Sequence, residues 1–420
     1  MTDVAIVALV IAGVSLGRER IRSLPVTTPM LFVGLGLLFG PELLGLLELD
    51  IRNEVVVVLA EFTLALVLFS DAMRIETGRT KLSVALPARL LGIGLPLTIL
   101  LGTVVTKLLL NDLSWAEAAL VATVLAPTDA ALGEAVVSNP AVPVRIRQAL
   151  NVESGTNDGL VVPVFSVFLA LVAGSEFEGA GSLFGDALTE IAIGLGVGGA
   201  VAVTLGIAVP WVTERGWTNA EGCRLVTLGA GLASYAGAEV LGGNGFLAAF
   251  SCGIIARVII GPSTAEHGEL AEDLGQLGAS ATFMVFGALL VIPSLEVVSL
   301  LVAVCAVALL TVGRMMPVAI SMIGSGLRSP TVVFLGWFGP RGLASMLFGL
   351  LLAAEGDVDP DGDLFSVIVL VVLSSVILHG VTAAPGAKRY ANWFNRRPTV
   401  ESMPENEVVA MSPVRWRRVR

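Results

Sequence analysis

Apolar residues in this chain fall into long runs, and charged residues collect in the short stretches between them. Most of the runs are long enough to cross a bilayer, which takes roughly 20 residues of helix. Runs and breaks together predict about thirteen membrane segments. They lie near 3–17, 25–41, 54–73, 86–109, 115–138, 146–173, 185–212, 222–241, 243–260, 275–293, 296–324, 330–354 and 363–386. The first and ninth are short, which leaves twelve as the alternative count. Backbone groups in hydrocarbon have no water to bond, so the expected fold is an all-α polytopic membrane protein.

Composition agrees. Of 420 residues 55% are hydrophobic and 14% charged, and the mean hydropathy is +0.87. The 47 glycines and 20 prolines sit largely inside apolar runs, where they suit helices that pack closely or are broken. The net charge of −10 excludes a nucleic-acid footprint. Cys223, Cys252 and Cys305 have no metal-ligand spacing and read as small core residues. Met1-Thr2-Asp3 has no basic n-region, so the first run is expected to be a retained helix.

Basic residues alternate between loops. One set holds Arg18, Arg20 and Arg22; Arg74, Arg79, Lys81 and Arg89; Arg145 and Arg147; Arg215 and Arg224; Arg257; Arg328; and the tail from Lys388. The opposite set holds Arg52 and little else. By the positive-inside rule the C-terminus is expected in the cytoplasm and, with thirteen segments, the N-terminus outside. The expected organisation is a membrane domain over 1–386 and a partly disordered cytoplasmic tail over 387–420, ending in Arg415-Trp-Arg-Arg-Val-Arg420. Acidic stretches such as Glu355–Asp363 read as solvated connections.

Two segments look interrupted. In Ala122-Thr-Val-Leu-Ala-Pro127-Thr-Asp129-Ala-Ala-Leu-Gly133, proline and glycine flank a polar pair in mid-membrane; Gly336-Trp-Phe-Gly339-Pro340-Arg341-Gly342 is the second. Paired broken helices in two halves of a membrane protein point to a transporter's binding site. An inverted repeat needs an odd offset between related segments, and the hydropathy alone leaves six-plus-six and five-plus-five arrangements open.

An ionisable residue at membrane depth costs at least about 2.5–3.5 kcal/mol and marks function. Asp129, Glu153, Asp158, Arg314 and Arg341 stand out. Pro127 frees an upstream carbonyl; with the Thr128 hydroxyl and the Asp129 carboxylate it offers hard oxygen ligands suited to an alkali cation. In Leu150-Asn-Val-Glu153-Ser154-Gly-Thr156-Asn157-Asp158, Glu153 and Asn157 form one i, i+4 stripe, and Ser154 and Asp158 an adjacent one. Such a face looks into protein or a water-filled cavity, not lipid. Asp158 is the expected ion- and proton-binding carboxylate, since competition of a cation and a proton for one carboxylate is sufficient for exchange. Asn157 can hold a broken helix without adding charge. Glu153 needs a partner, with Arg314 favoured over Arg341; Arg341 then compensates half-helix carbonyl ends at the second break.

Other polar positions read differently. Asp71, followed by Arg74, reads as a loop-edge ion pair. Glu61 and Glu239 either line a funnel or face neighbouring helices. His379 reads as a satisfied packing residue, and Gly194–Gly199 as close helix packing.

Three motifs together resemble the cation:proton antiporter superfamily, specifically its NhaP-like sodium/proton exchanger branch, over nearly the whole membrane part. They are Pro127-Thr128-Asp129, Val152-Glu153-Ser154-Gly-Thr-Asn157-Asp158-Gly and Gly339-Pro340-Arg341-Gly342. The resemblance implies inverted repeats with two crossed broken helices, and a core moving against a dimerisation domain in a homodimer. It implies Thr128, Asp129, Glu153, Ser154 and Asp158 around the transported cation, Asn157 and Arg341 steadying the crossed helices, and Arg314 pairing with Glu153. Many relatives carry proline just after the threonine–aspartate pair; this chain has Ala130 there and proline before the pair.

The expected activity is secondary active exchange of Na+, with Li+ as a further substrate, for H+, with no cofactor and no enzymatic step. Asn157-Asp158, in place of two aspartates, resembles the branch taken as electroneutral, so one cation per proton is expected. Potassium/proton exchange is the alternative. An intramembrane aspartyl protease would need a Gly-x-Gly-Asp element, but Gly155-Thr156-Asn157 precedes Asp158. A passive channel would need a repeated carbonyl filter sequence, which is missing.

Overall fold

Helix is the local solution wherever the chain is apolar, and each expected segment has a helical counterpart. The computed structural model of the protein describes residues 2–21, 26–50, 53–74, 81–173, 180–260, 264–354, 362–396 and 403–406. Among the described residues every regular element is helical.

The chain begins with α1 (Thr2–Leu16), the single turn α2 (Arg18–Ile21), α3 (Thr28–Phe39) and α4 (Glu54–Arg74). The fourth segment is α5 (Lys81–Arg89) and α6 (Leu95–Leu109), joined by a π-helical turn at Leu90–Gly94. The fifth is α7 (Trp115–Val124), an irregular stretch and the short α8 (Glu134–Val137). Next come α9 (Val144–Ala173), α10 (Ala180–Glu214), α11 (Ala220–Val240) and α12 (Gly245–Ile260). The turn α13 (Thr264–His267) leads into α14 (Glu269–Leu289) and α15 (Val291–Glu296). The eleventh segment is α16 (Leu300–Leu310) and α17 (Val312–Ser321), the twelfth α18 (Ser329–Trp337) and α19 (Leu343–Ala354), the last α20 (Asp363–Asn395). Six described helical spans, two of them made of consecutive elements, are long and apolar enough to cross a membrane: Glu54–Arg74, Val84–Leu109, Val144–Ala173, Gly185–Glu214, Leu300–Ser321 and Asp363–Asn395.

Local chemistry explains the two decisive breaks. α7 starts at a capping box, in which Glu117 N–H donates to Ser114 Oγ (3.1 Å) and Ser114 N–H to Glu117 Oε2 (2.6 Å). It stops after Val124 because Pro127 has no N–H to give and disfavours helical geometry at Ala126. The break holds with Ala130, and not proline, after Asp129. α18 likewise stops at Trp337, ahead of Pro340. The fifth and twelfth segments are separated by an odd offset, as an inverted pair requires.

Packing around this frame is close. A Cβ on Gly36 would run into the Met284 carbonyl, and one on Gly287 into the Val33 carbonyl, so α3 and α14 meet backbone to backbone. α4 packs against α12, α14, α19 and α9, and α9 against α7.

Three features depart from the hydropathy reading. The eleventh segment is interrupted at Thr311, three residues before Arg314. α20 continues past 386, through Pro385, to Asn395, so the helical body extends into the stretch expected as tail. Residues 403–406 of that tail pack back onto the bundle. Glu405 is buried, and its Oε1 accepts from Arg328 N–H (3.0 Å) and Thr331 Oγ1 (2.9 Å), while Pro404 O accepts from Arg145 Nη1 (2.5 Å). Arg328 at the N-cap of α18 makes no side-chain capping bond, and Glu405 supplies the anion there instead. The Arg415–Arg420 cluster, residues 355–361, and Arg22, Arg52 and Arg79 lie outside the described residues.

Candidate ion-binding site

The polar stripes of α9 turn inward. Glu153, Ser154, Asn157 and Asp158 are all buried. The break between α7 and α8 lies against them. Thr128 Oγ1 accepts from Asn157 Nδ2 (2.8 Å) and bonds Ser154 Oγ (3.0 Å), so one hydroxyl ties the irregular stretch of the break to the helix. Asp158 Oδ1, Asn157 Oδ1 and Glu153 Oε2 are buried with no hydrogen-bond partner among the described residues.

The two breaks cross through paired charges and backbone. Asp129 N–H donates to Pro340 O (2.7 Å). Asp129 Oδ1 accepts from Ala131 N–H (2.8 Å) and Oδ2 from Leu343 N–H (2.9 Å), so its carboxylate caps the start of α19. Arg341 does the reverse, donating from Nε to Leu125 O (2.9 Å) and from Nη1 to Gly339 O (2.6 Å). A broken helix leaves partial positive charge at its N-terminal end and partial negative charge at its C-terminal end. Here an anion meets the first and a cation the second. The two glycines of the Gly339-Pro340-Arg341-Gly342 run make room for this. A Cβ on Gly342 would strike the Asp129 carboxylate, and one on Gly339 would sit 2.5 Å from the Arg314 guanidinium.

Arg314 on α17 pairs with Glu153, Nη1 to Oε1 at 2.6 Å, with both side chains 3% exposed. That pairing spends one carboxylate oxygen of a residue the motif resemblance sets beside the cation. Asp129 is likewise held by two backbone donors. Glu153 and Asp158 each keep one unbonded buried oxygen, but Arg314 balances the charge of Glu153, while Asp158 makes no ion pair among the described residues; Ser154 lies one turn before it on the same face.

Asp71 makes no direct ion pair with Arg74 among the described residues, although the Arg74 charge still acts on it. Arg74 bonds Glu272 (2.6 Å), while Asp71 Cβ lies 3.8 Å from a Cβ placed on Gly155, facing α9. The sequence signal for this was weak, because Arg74 one turn later offered an obvious local partner. Glu239 accepts from Gly245 N–H (2.9 Å) at the start of α12, so it faces a neighbouring helix. Among the described residues no three Asp, Glu, His or Cys side chains converge as a resident metal centre. The arrangement is instead a hydroxyl- and carboxylate-lined crossing in which Asp158 Oδ1 has no hydrogen-bond partner among the described residues, which suits a monovalent cation or a proton.

Comparison with known proteins points the same way. A K(+)/H(+) antiporter NhaP of Alkalimonas amylolytica is 24% identical over 380 residues, which cover 90% of this chain and 64% of that protein. The chain thus spans under two thirds of that relative. The Na(+)/H(+) antiporter ApNhaP of Aphanothece halophytica is 26% identical over 398 residues, covering 89% of this chain and 72% of that protein. The sodium proton antiporter MjNhaP1 of Methanocaldococcus jannaschii, solved at pH 8, superposes with a TM-score of 0.75 at 20% identity, covering 90% of this chain and 99% of that one. That likeness fixes the fold as an all-α polytopic one. The model of the transmembrane sodium/hydrogen exchanger family matches residues 5–389, and the chain belongs to that family.

Proposed function

We propose that the protein is a secondary active transporter, not an enzyme, that exchanges a monovalent cation for H+ by alternating access. The observation that carries this reading is the buried Asp158 carboxylate, with an oxygen free of hydrogen bonds, beside the Thr128–Ser154 hydroxyl pair at the crossing of two broken helices. A proton or a cation can neutralise that carboxylate, but not both at once, so the loaded site returns in one form or the other and the charge is never carried bare. Thr128, Ser154 and Asp158 supply cation oxygens, with Asp129 and Glu153 around them and Asp71 on the facing helix. Asn157, Arg314 and Arg341 hold the crossing. The reading takes Na+ as substrate, one ion per proton, in a homodimer embedded in lipid of the cell membrane with the C-terminus in the cytoplasm.

The test is proton flux in proteoliposomes. An inside-acid gradient is preset, Na+, Li+ or K+ is added outside, and Asp158→Asn is the control. Dissipation by Na+ that the variant lacks and that a clamped membrane potential leaves unchanged supports electroneutral exchange through Asp158. The relatives' printed names include both Na(+)/H(+) and K(+)/H(+) antiporters; a response to K+ alone keeps the mechanism and changes the substrate. Folded protein with no cation-dependent flux rejects exchange altogether.

A further inference from the structure

We propose that His379 is a positioning residue for exchange: with Ser375 it clamps both ends of the second break and so holds Arg341 where it ties the first. The inference rests on the exchange reading above. It starts from a problem common to every broken helix. The last carbonyls of one half and the N–H groups entering the next have no helical partner, and hydrocarbon offers them no water.

At this break one turn of α20 answers both. His379 Nε2 lies 2.8 Å from Trp337 O, the last carbonyl of α18. Ser375, four residues earlier on the same face, accepts Arg341 N–H at Oγ (2.7 Å). The two side chains meet, with Ser375 Oγ 3.1 Å from His379 Nδ1. Both are buried, and the imidazole leans on the Trp337 indole with ring centroids 5.2 Å apart.

The hydrogens follow from chemistry. A carbonyl oxygen only accepts, so Nε2 carries a hydrogen. A backbone N–H only donates, so Ser375 Oγ is the acceptor there and its own hydrogen is free for Nδ1. Nδ1 faces both Ser375 Oγ (3.1 Å) and the Ser375 carbonyl (2.9 Å): as an acceptor it takes the Ser375 hydroxyl hydrogen, as a donor it bonds the carbonyl, and in both ring states Arg341 N–H bonds Ser375 Oγ and His379 Nε2–H bonds Trp337 O. Arg341, held by its backbone in this way, reaches Leu125 O and Gly339 O with its side chain. His379 therefore acts on the ion site through Ser375 and Arg341, and touches no ion itself.

The experiment compares the full chain with His379→Leu, His379→Gln, Ser375→Ala and the Ser375→Ala/His379→Leu double variant. Initial exchange rates are measured against cation concentration, alongside amide hydrogen exchange of residues 336–344. Loss of a buried hydrogen bond corresponds to about fivefold. His379→Leu is expected to lower the maximal rate by about that factor or more, with the half-saturating cation concentration nearly unchanged, and to deprotect the amides of the break. Glutamine, whose amide nitrogen reaches the Nε2 position, restores rate and protection. The double variant is no slower than Ser375→Ala alone. Wild-type rate and protection in His379→Leu, failure of glutamine to rescue, or additive losses in the double variant would each overturn the clamp. A wild-type chain without exchange would instead remove the exchange reading, and the amide protection would still decide whether the clamp exists.

Discussion

The two breaks of this protein solve one geometric problem with opposite charge. At the first, between α7 and α8, the chain places Asp129 and the Thr128 hydroxyl. The long helix that follows, α9, sets Ser154 and Asp158 against them at i, i+4. At the second, between α18 and α19, it places Arg341, and the long helix that follows, α20, sets Ser375 and His379 against it at the same spacing. In the second half the cation is built in, and its hydrogen bonds go to Leu125 and Gly339 carbonyls. In the first half a carboxylate oxygen is left without a partner. The difference teaches where a mobile cation belongs: beside the half whose charge balance the protein does not complete with its own side chains.

The sharpest way to break the comparison is to neutralise that one charge. Asp158→Asn keeps the shape of the side chain and is expected to reduce cation-driven proton flux to the level of empty liposomes, with the folded yield retained. Normal flux in this variant would move the exchanging carboxylate elsewhere, with Asp71 the next to test.

Next in size is the buried pair that joins the halves. Glu153→Ala or Arg314→Ala leaves an uncompensated charge in the core, which costs about 3–5 kcal/mol. Each single variant is expected to show a large drop in thermal stability in detergent. The Glu153→Gln/Arg314→Met double variant, which removes both charges, is expected to melt closer to wild type than either alanine variant. Equal or additive losses would mean that the pair is not the connection between α9 and α17.

A smaller effect is expected from Gly342→Ala, since the added methyl meets the Asp129 carboxylate. Overpacking of this kind costs about 1–3 kcal/mol, and the same change is expected to raise the cation concentration needed for half-maximal flux by displacing Asp129. An unaltered melting temperature would show that the crossing relaxes without loss. The smallest effect belongs to the tail. Glu405→Ala removes the anion that accepts from Arg328 N–H, and loss of a helix cap costs about 1 kcal/mol, readable as a modest decrease in melting temperature. No decrease would mean that residues 403–406 do not contribute to the stability of α18.

Much of this was legible along the chain, for reasons that can be named. Bilayer thickness forces long apolar runs, so the segments of the bundle follow from hydropathy. Proline cannot continue a helix ladder, so Pro127 and Pro340 mark the two breaks. The i, i+4 spacing of Ser154 and Asp158 forces them to one face. Other features carry no such local signature. Asp71 sits one turn before Arg74, and only the packing of α4 on α9 turns it toward Gly155. Ser375 and His379 look like ordinary polar interruptions of an apolar helix until Trp337 and Arg341 are brought beside them. The interruption at Thr311 has no proline to announce it, and Glu405 lies in a short polar stretch with no periodicity.

By itself, then, the sequence determined that this is a bundle of membrane helices with two broken segments and a set of charges that must face inward, because desolvation makes every alternative costly. Apart from the Glu153–Arg314 pair, which the sequence already favoured, tertiary structure decided which charge meets which. Asp129 and Arg341 are both held by backbone groups of both breaks, Glu153 is held by Arg314, and Asp158 keeps an unbonded oxygen. Charge pairing acts over a few ångströms between segments far apart in the chain, and its outcome depends on distances that no local pattern encodes.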